Sequence, residues 1–375
     1  MQLKSIKLTN FRNYRNTETM NFSAGTNIIC GENAQGKTNL LEAVYYTCRG
    51  RSFRTRTVND VIRFQEAEAE IDAVIEQNGR LHTSEVTLER NDRKRIYIDG
   101  TEQKTLTEYP FHAVLFQPED LELGRGAAAM RRRWLDTVIS ALRPRYSDAL
   151  TEHRKLYDSK LKLLKDIREN QTLIKVLEDF DILLAKADAV LIHYRALFCK
   201  RIAPLIAENT AMLSGESLTA EYRAVTSISH PEELKPSEIC VKLLERQSGL
   251  RDAELASGNV LSGARKDDFT ITLNELGSEF WSQGQARTVA VAMKLAEREF
   301  LKQESGEYPI LLLDDVLSDL DERRRHAVLN KIDSGQTFIT CCDADELNTK
   351  NTENGESAKG NGKWRVENGE IRAEQ

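Results

Sequence analysis

Eight consecutive residues, Gly31-Glu32-Asn33-Ala34-Gln35-Gly36-Lys37-Thr38, carry the spacing G-x-x-x-x-G-K-[ST]. The run before them, Asn27-Ile28-Ile29-Cys30, is short and apolar, and the run after them, Asn39-Leu40-Leu41-Glu42-Ala43-Val44-Tyr45-Tyr46, is amphipathic. The sequence therefore predicts strand, loop and helix in that order, the setting in which such a loop holds phosphate. Gly31 and Gly36 keep Cβ atoms away, so that successive N–H groups turn toward phosphate oxygens. The helix starting near Lys37 adds the positive end of its dipole. Lys37 supplies a point charge for the β/γ-phosphates, and Thr38 a hydroxyl for Mg2+. The competing reading is a glycine-rich turn before a helix, and the flanking pattern argues against it.

Two further groups fit the same chemistry. Ile310-Leu311-Leu312-Leu313-Asp314-Asp315 is an apolar run closed by two carboxylates. A phosphate loop needs a carboxylate-bearing strand beside it; Asp314 would face the metal, and Asp315 would act as general base or orient water. Alone such a strand is commonplace, but here it follows a phosphate loop in the same chain. Ser282-Gln283-Gly284-Gln285 leads into a helix over 288–301, and a hydroxyl, a glycine N–H and a helix N-terminus together make an anion site. Lys37 and Thr38 already serve one side of a nucleotide, so this second site is spare within one copy. In a two-fold dimer it would close over the partner's γ-phosphate, with ATP as the glue.

These groups need a scaffold. Residues 2–8 and 19–22 read as strands, joined through Asn10-Phe11-Arg12-Asn13-Tyr14. Residues 67–104 alternate with period two and break at Asn78-Gly79, Asn91-Asp92 and Asp99-Gly100, which predicts an antiparallel meander beside a parallel sheet. Another apolar strand, 111–116, ends at Gln117-Pro118-Glu119-Asp120. From 131 to about 170 the pattern is helical with a break at Pro144, and from 173 to 213 apolar residues recur every three or four positions. Two such stripes predict an antiparallel, coiled-coil-like arm over 125–215, reaching at most about 60 Å. A strand at 218–225, a helix over 237–249, a polar loop over 258–268, a buried strand at 337–340, a flexible loop over 348–363 and a hairpin around Asn368-Gly369 complete the expectation. The domains are then 1–124, the N-terminal lobe of a head; 125–215, the arm; and 216–375, the C-terminal lobe.

Hydrophobic residues at 40% and charged residues at 30% suit a globular protein, and 375 residues suffice for two domains. With no apolar run of eighteen residues and no leader before the first strand, a cytoplasmic protein without membrane attachment is expected. The six cysteines contain no C-x-x-C pair, which argues against a zinc site and a disulfide framework, and adjacent Cys341-Cys342 read as core filling rather than redox chemistry. The net charge of −6 is unevenly spread: residues 125–215 hold 17 basic against 11 acidic side chains, leaving −12 for the rest. A basic segment on an acidic body fits a polyanion met by one part only, or a long exposed helix pair with ordinary lysines. Arg49-Gly50-Arg51-Ser52-Phe53-Arg54-Thr55-Arg56 is likewise either a phosphate-facing patch or a solvated loop.

The order of elements resembles the ATPase head shared by ABC transporters and the SMC group: Walker A at 31–38, a Q-loop-like Gln117, a signature segment at 282–285, Walker B at 310–315 and a D-loop-like Ser318-Asp319-Leu320-Asp321. In detail it is similar to the RecF family of bacterial recombination and repair proteins. The similarity rests on Asn10 to Tyr14, the Walker A segment through Ala43, Gly50-Arg51-Ser52-Phe53-Arg54-Thr55, Pro118-Glu119-Asp120-Leu121 and Leu311 to Ser318, and it covers nearly the whole chain.

The resemblance implies an α/β fold: an ABC-type ATPase head, a mixed sheet with the P-loop plus an antiparallel β subdomain, with an inserted short α-helical arm. It implies ATP and Mg2+ as cofactors, with nucleotide contacts from Arg12, Asn13 and each of Gly31, Glu32, Asn33, Ala34, Gln35, Gly36, Lys37 and Thr38. It gives Gln117 and Asp315 catalytic parts, Asp321 a D-loop part, and Ser282, Gln283, Gly284 and Gln285 contacts in trans. An ATP-dependent homodimer binding single-stranded, duplex and gapped DNA, a RecR-type partner, loading of recombinase on gapped DNA and slow hydrolysis are also implied.

The chain departs from the family pattern at Gly263-Ala264-Arg265-Lys266-Asp267-Asp268, where Gly-Pro-His-Arg-Asp-Asp is usual, at Ala127-Ala128, and at Trp281 and Ala286. A contact belonging to that histidine is therefore not carried to Arg265. The alternative class is the ATP-binding subunit of an ABC-type transporter, which copurification with membranes would favour. A third reading is a nucleotide-binding module without turnover, which a vanishing phosphate-release rate would favour.

Overall fold

The alternating N-terminal pattern becomes β1 (Gln2–Phe11), longer than expected, and the chain doubles back through β2 (Tyr14–Asn16) and β3 (Met20–Asn21), both antiparallel to it. Next come β4 (Thr26–Cys30) and helix α1 (Lys37–Arg49), the strand and helix predicted on either side of the glycine loop. The meander is β5 (Glu68–Gln77), β6 (Arg80–Glu89), β7 (Arg93–Ile98) and the short β8 (Thr101–Glu102). Its turns hold Asn78 and Asp99 at φ 51 and Gly79 and Gly100 at φ 73, the left-handed pair that two-residue hairpins require. β9 (Ala113–Phe116) follows.

Helices α2 (Ala128–Leu142), α3 (Pro144–Asp166) and α4 (Ile174–Ser214) form the middle of the chain, with Pro144 opening α3 where a missing N–H is harmless. Then come β10 (Leu218–Arg223), α5 (Pro236–Ser257), β11 (Asp268–Leu273), β12 (Leu276–Gly277) and α6 (Gln283–Ser305). The last elements are β13 (Ile310–Asp314), α7 (Glu322–Lys331), β14 (Thr337–Cys341), β15 (Gly362–Glu367) and β16 (Glu370–Glu374). This computed structural model describes every residue except 92, 104–108, 168, 225–227, 333, 343–361 and 375. The loop expected over 348–363 thus lies outside the described residues, apart from Gly362 and Lys363, which begin β15.

The chain forms two compact units, Met1–Leu121 with Glu297–Gln375, and Glu122–Ala296. In the first, a sheet ordered β16-β15-β4-β14-β13-β9 has β15, β4, β14, β13 and β9 parallel, and a separate antiparallel sheet runs β2-β1-β5-β6-β7-β8 with β3 on β1. Helix α1 packs against strands of both sheets. β13 and β14 are buried along their whole length, as strands covered on both faces are, which explains the apolar run Ile310-Leu311-Leu312-Leu313 in β13.

In the second unit α4 packs against α3 and also against α5, and β10-β11-β12 make a small sheet. The two-helix arm expected from periodicity is therefore a three-helix arrangement. Residues 216–296, which the sequence reading assigns to the C-terminal lobe, cluster with the helices. Helix α4 buries Leu177, Leu184, Ala185, Leu191 and Ile192, more than a single-partner stripe, and α5 supplies the second cover. At 41 residues α4 is about 60 Å long.

Candidate functional site

The parallel strands β4, β14, β13 and β9 bring their C-terminal ends to one edge of the sheet, the place where open α/β sheets bind ligands. At the end of β4 a Cβ on Gly31 would collide with the Val366 carbonyl oxygen, and Gly36, at φ 121, would bring one to 2.5 Å from Asn13 Nδ2. Both positions exclude a side chain. Helix α1 has no capping side chain and no acid in its first turn, which suits its leading N–H groups to an anion. Lys37 is buried, and its Nζ donates to Gly31 O at 2.5 Å and Glu32 O at 3.1 Å.

At the end of β13, Asp314 Oδ1 accepts from Thr38 Oγ1 at 2.9 Å and from Thr340 Oγ1 at 3.0 Å. Burial lifts the Asp314 carboxyl above its ordinary 3.8; the two threonine donors oppose that rise and neighbouring Asp315 adds to it. Asp315 stands at φ 53, a left-handed backbone unfavourable for a side-chain-bearing residue, and Thr340 Oγ1 accepts its N–H at 2.9 Å. Because Phe116 lies opposite Leu313 in the parallel pair β9/β13, Gln117 comes next along the edge, beside Asp314. Thr38 and Asp314 offer a hydroxyl and a carboxylate at one point, a hard oxygen donor set that suits Mg2+.

Asn13 braces the loop from outside: its Nδ2 donates to Gln35 O at 2.8 Å, and its Oδ1 accepts from Asn39 Nδ2 at 2.7 Å. Tyr14 OH donates to Gly36 O at 3.0 Å, and burial pushes its phenol up. Arg12 does not reach into the loop; it grips fully buried Glu42 through Nε at 2.8 Å and Nη2 at 2.7 Å. Ser52 Oγ also donates to Glu42, and Arg54 donates to Asn39 Oδ1 at 2.8 Å. An open depression of about 510 Å3 adjoins this cluster, lined by Arg12, Asn13, Asn39, Arg54 and the exposed Phe64 among others.

Of the other residues singled out, Glu32, Asn33 and Ala34 complete the loop, and Cys342 Sγ donates to Asn33 Oδ1 at 3.4 Å. Asp321 caps α7, accepting from Arg324 N at 2.9 Å. Ser282, Gln283, Gly284 and Gln285 lie in the second unit, at the start of α6. There Ser282 N–H donates to Gln285 Oε1 at 2.8 Å and Gln285 N–H to Ser282 Oγ at 3.2 Å, a reciprocal cap. Phe280 is 70% exposed beside it, and Trp281 is buried with its Nε1 donating to Leu276 O. Arg265 stacks 3.9 Å over the Tyr157 ring.

Several basic side chains of the middle segment are turned away from solvent. Arg131 and Arg132 turn inward, Arg131 onto Asp268 at 2.9 and 2.8 Å and Arg132 onto Asp267 O at 2.6 Å. Lys160 is fully buried between Asp181 and Glu254, 2.7 Å from each. Arg195 is buried and paired with Asp136. Several charges behind the local surplus therefore serve packing, because acids distant in sequence fold against them. In the glycine-loop region Arg49 is buried as well, while Arg54 and Arg56 are exposed. Thr340, Glu42, Asn39 and the Asn368-Gly369 tip are site parts that no sequence motif singles out; a threonine within a buried strand is a readable sign, but its partners depend on strand register.

A phosphate loop tied through Thr38 to the carboxylate that closes a buried parallel strand, with an antiparallel sheet across its first helix, defines an ABC-type ATPase head. The family model described as RecF/RecN/SMC N terminal domain matches residues 2–362. The chain belongs to the RecF family. It is 34% identical to the DNA replication and repair protein RecF of Acetivibrio thermocellus over 94% of this chain and 96% of that protein. The RecF of Geobacillus kaustophilus is 36% identical over 92% of this chain and 94% of its own length. A solved structure of the recombination mediator protein RecF-ATPrS in the RecFOR pathway superposes with a TM-score of 0.90 at 31% identity, covering 99% of this chain and 98% of that one. An Smc head bound to the winged-helix domain of ScpA, at TM-score 0.54 and 15% identity, shares the fold alone.

Proposed function

We propose that this protein is an ATP-dependent DNA-binding protein of recombinational repair and replication in the cytoplasm, which dimerises around Mg-ATP on gapped DNA, helps load recombinase with a RecR-type partner, and hydrolyses ATP slowly. The observation that carries the reading is the 2.9 Å bond between Thr38 and Asp314, which joins two distant motifs into one metal-ready pair. RecF structures described with ATP and ATPrS in the RecFOR pathway support it. Bound Mg2+ would neutralise charge on the phosphates. Thr38 and Asp314 would hold it, and Lys37 would turn from the loop carbonyls to the β/γ-phosphates. Asp315, with Gln117 beside the same edge, would orient the attacking water. The depression lined by Arg12, Asn13 and Phe64 would take the nucleoside. Ser282 and the α6 N-terminus would meet the partner copy's γ-phosphate, with exposed Phe280 adding apolar contact. Arg54 and Arg56, with the exposed Lys155, Lys162 and Lys165 of α3, would contact DNA phosphates without reading bases.

Light scattering with Mg-ATP and a gapped duplex, alongside phosphate release with single-stranded, duplex and gapped DNA, tests the reading. A doubling of mass and DNA-stimulated turnover are expected; a persistent monomer would sink the dimer. Lys37→Ala should abolish nucleotide binding, whereas Ser282→Arg should spare it and prevent dimers. DNA affinity should fall steeply with salt, and a flat response would remove the phosphate contacts. Membership of the RecF family sets the transporter reading aside, and no helix among the described residues is long and apolar enough to cross a membrane.

A further inference from the structure

The geometry points to the tip of the C-terminal hairpin, Asn368 and Gly369, as a positioning element that aims a phosphate-binding N–H of the glycine loop. Strand β15 runs parallel to β4, with Trp364 opposite Ile29 and Arg365 opposite Cys30, which lays the Val366 carbonyl over Gly31. The turn into β16 then reaches Gln35, 333 residues away in sequence: Asn368 N–H donates to Gln35 Oε1 at 2.5 Å. Gly369 N–H donates to Gln35 O at 3.2 Å, and Asn13 Nδ2 donates to the same oxygen at 2.8 Å.

Two donors therefore occupy the Gln35 carbonyl from the outer side of the loop. In a planar trans peptide the C=O and the following N–H point in opposite directions. Fixing the Gln35 oxygen toward Asn13 and Gly369 thus fixes the Gly36 N–H the other way, the direction from which such a loop takes phosphate oxygens. The fit is close: Gly369 stands at φ 79, and a Cβ there would lie 2.5 Å from the Asn13 carbonyl oxygen. Freed from the tip, the 35–36 peptide is held by the Asn13 bond alone and rotates more readily, and nucleotide must then select the competent orientation. This inference rests on the proposed ATP site, and Asn368 and Gly369 act through Gln35 without touching nucleotide.

The test titrates a fluorescent ATP analogue with Mg2+ into the full chain, with melting recorded without nucleotide. Gly369→Val, which drives a side chain into Asn13, is expected to weaken binding about tenfold, the loss of roughly one hydrogen bond's worth of preorganisation. Asn368→Gly keeps both the left-handed backbone and the N–H, and should bind within about twofold of the natural chain. A merely structural tip would lower the melting temperature and leave the affinity of the folded protein unchanged; that result overturns the inference. Should Gly369→Val fail to fold, Gly369→Ala with amide hydrogen exchange over 31–38 decides: faster exchange at Gly36 is expected, and unchanged exchange refutes the role. If the natural chain binds no ATP, or Lys37→Ala binds it equally well, the ATP reading fails instead.

Discussion

Glu42→Ala is the substitution whose consequence the structure defines most sharply. The carboxylate is fully buried in α1 and accepts two bonds from Arg12, at 2.8 and 2.7 Å, and one from Ser52 at 2.5 Å. Arg54 lies 3.6 Å away, but its side chain is 45% exposed, so its share is at most about 1 kcal/mol. The Arg12 side chain is only 18% exposed, and removing its partner leaves a largely desolvated cation, a change that costs about 3–5 kcal/mol. Glu42→Gln keeps the volume and an acceptor while losing the charge, and should cost about half as much. Urea unfolding followed by far-ultraviolet circular dichroism reads both; at a slope of about 2–3 kcal/mol per molar, the alanine variant should move its midpoint down by roughly 1–2 M. Since Arg12 and Arg54 line the depression beside the loop, ATP affinity should fall in the same order, alanine below glutamine. An alanine variant less than about 1 kcal/mol weaker than the natural chain would refute the idea that Glu42 anchors this cluster.

Asp314→Asn should make the protein more stable at neutral pH while removing Mg-ATP binding. Burial lifts this carboxyl above 3.8, so the folded state holds the proton longer than the unfolded state, and the group's contribution to stability declines as pH rises from 3.8 through the folded value. Thermal melts across that window should show the variant's advantage growing and then levelling; an advantage independent of pH would contradict the assignment. Gly36→Ala should abolish nucleotide binding, because φ 121 and the Asn13 amide both reject a Cβ, and a titration showing ordinary affinity would disprove the tight fit. Lys160→Met should destabilise by about 3–5 kcal/mol, since it removes the cation between two buried acids and leaves Glu254 beside Asp181, which keeps only Arg251 at 3.1 Å. Replacing all three by apolar residues should restore most of the loss in chemical denaturation, and no recovery would mean the damage lies in packing.

Locally encoded features were legible in the sequence. The glycine loop announces itself because only glycine tolerates its backbone, the meander because Asn-Gly and Asp-Gly fix two-residue turns, and the Asp314 strand because a doubly covered parallel strand must be apolar throughout. The fold class and the Lys37, Thr38 and Asp314 constellation follow from such short-range constraints combined with the family resemblance. Tertiary structure alone decided the rest. Charge counting could not know that Asp268 folds onto Arg131 or that Lys160 is sealed between two acids, because ion pairs between distant segments leave no local period. Periodicity showed that α4 is a helix but not that α5 covers it as well as α3. Strand register, which no single stretch contains, brought Thr340 to Asp314 and a hairpin tip to Gln35. Sequence specifies which side chains and backbone angles are permitted at each position; only the packed chain decides which of them meet, because the free energy of a contact is gained where distant segments exclude water together.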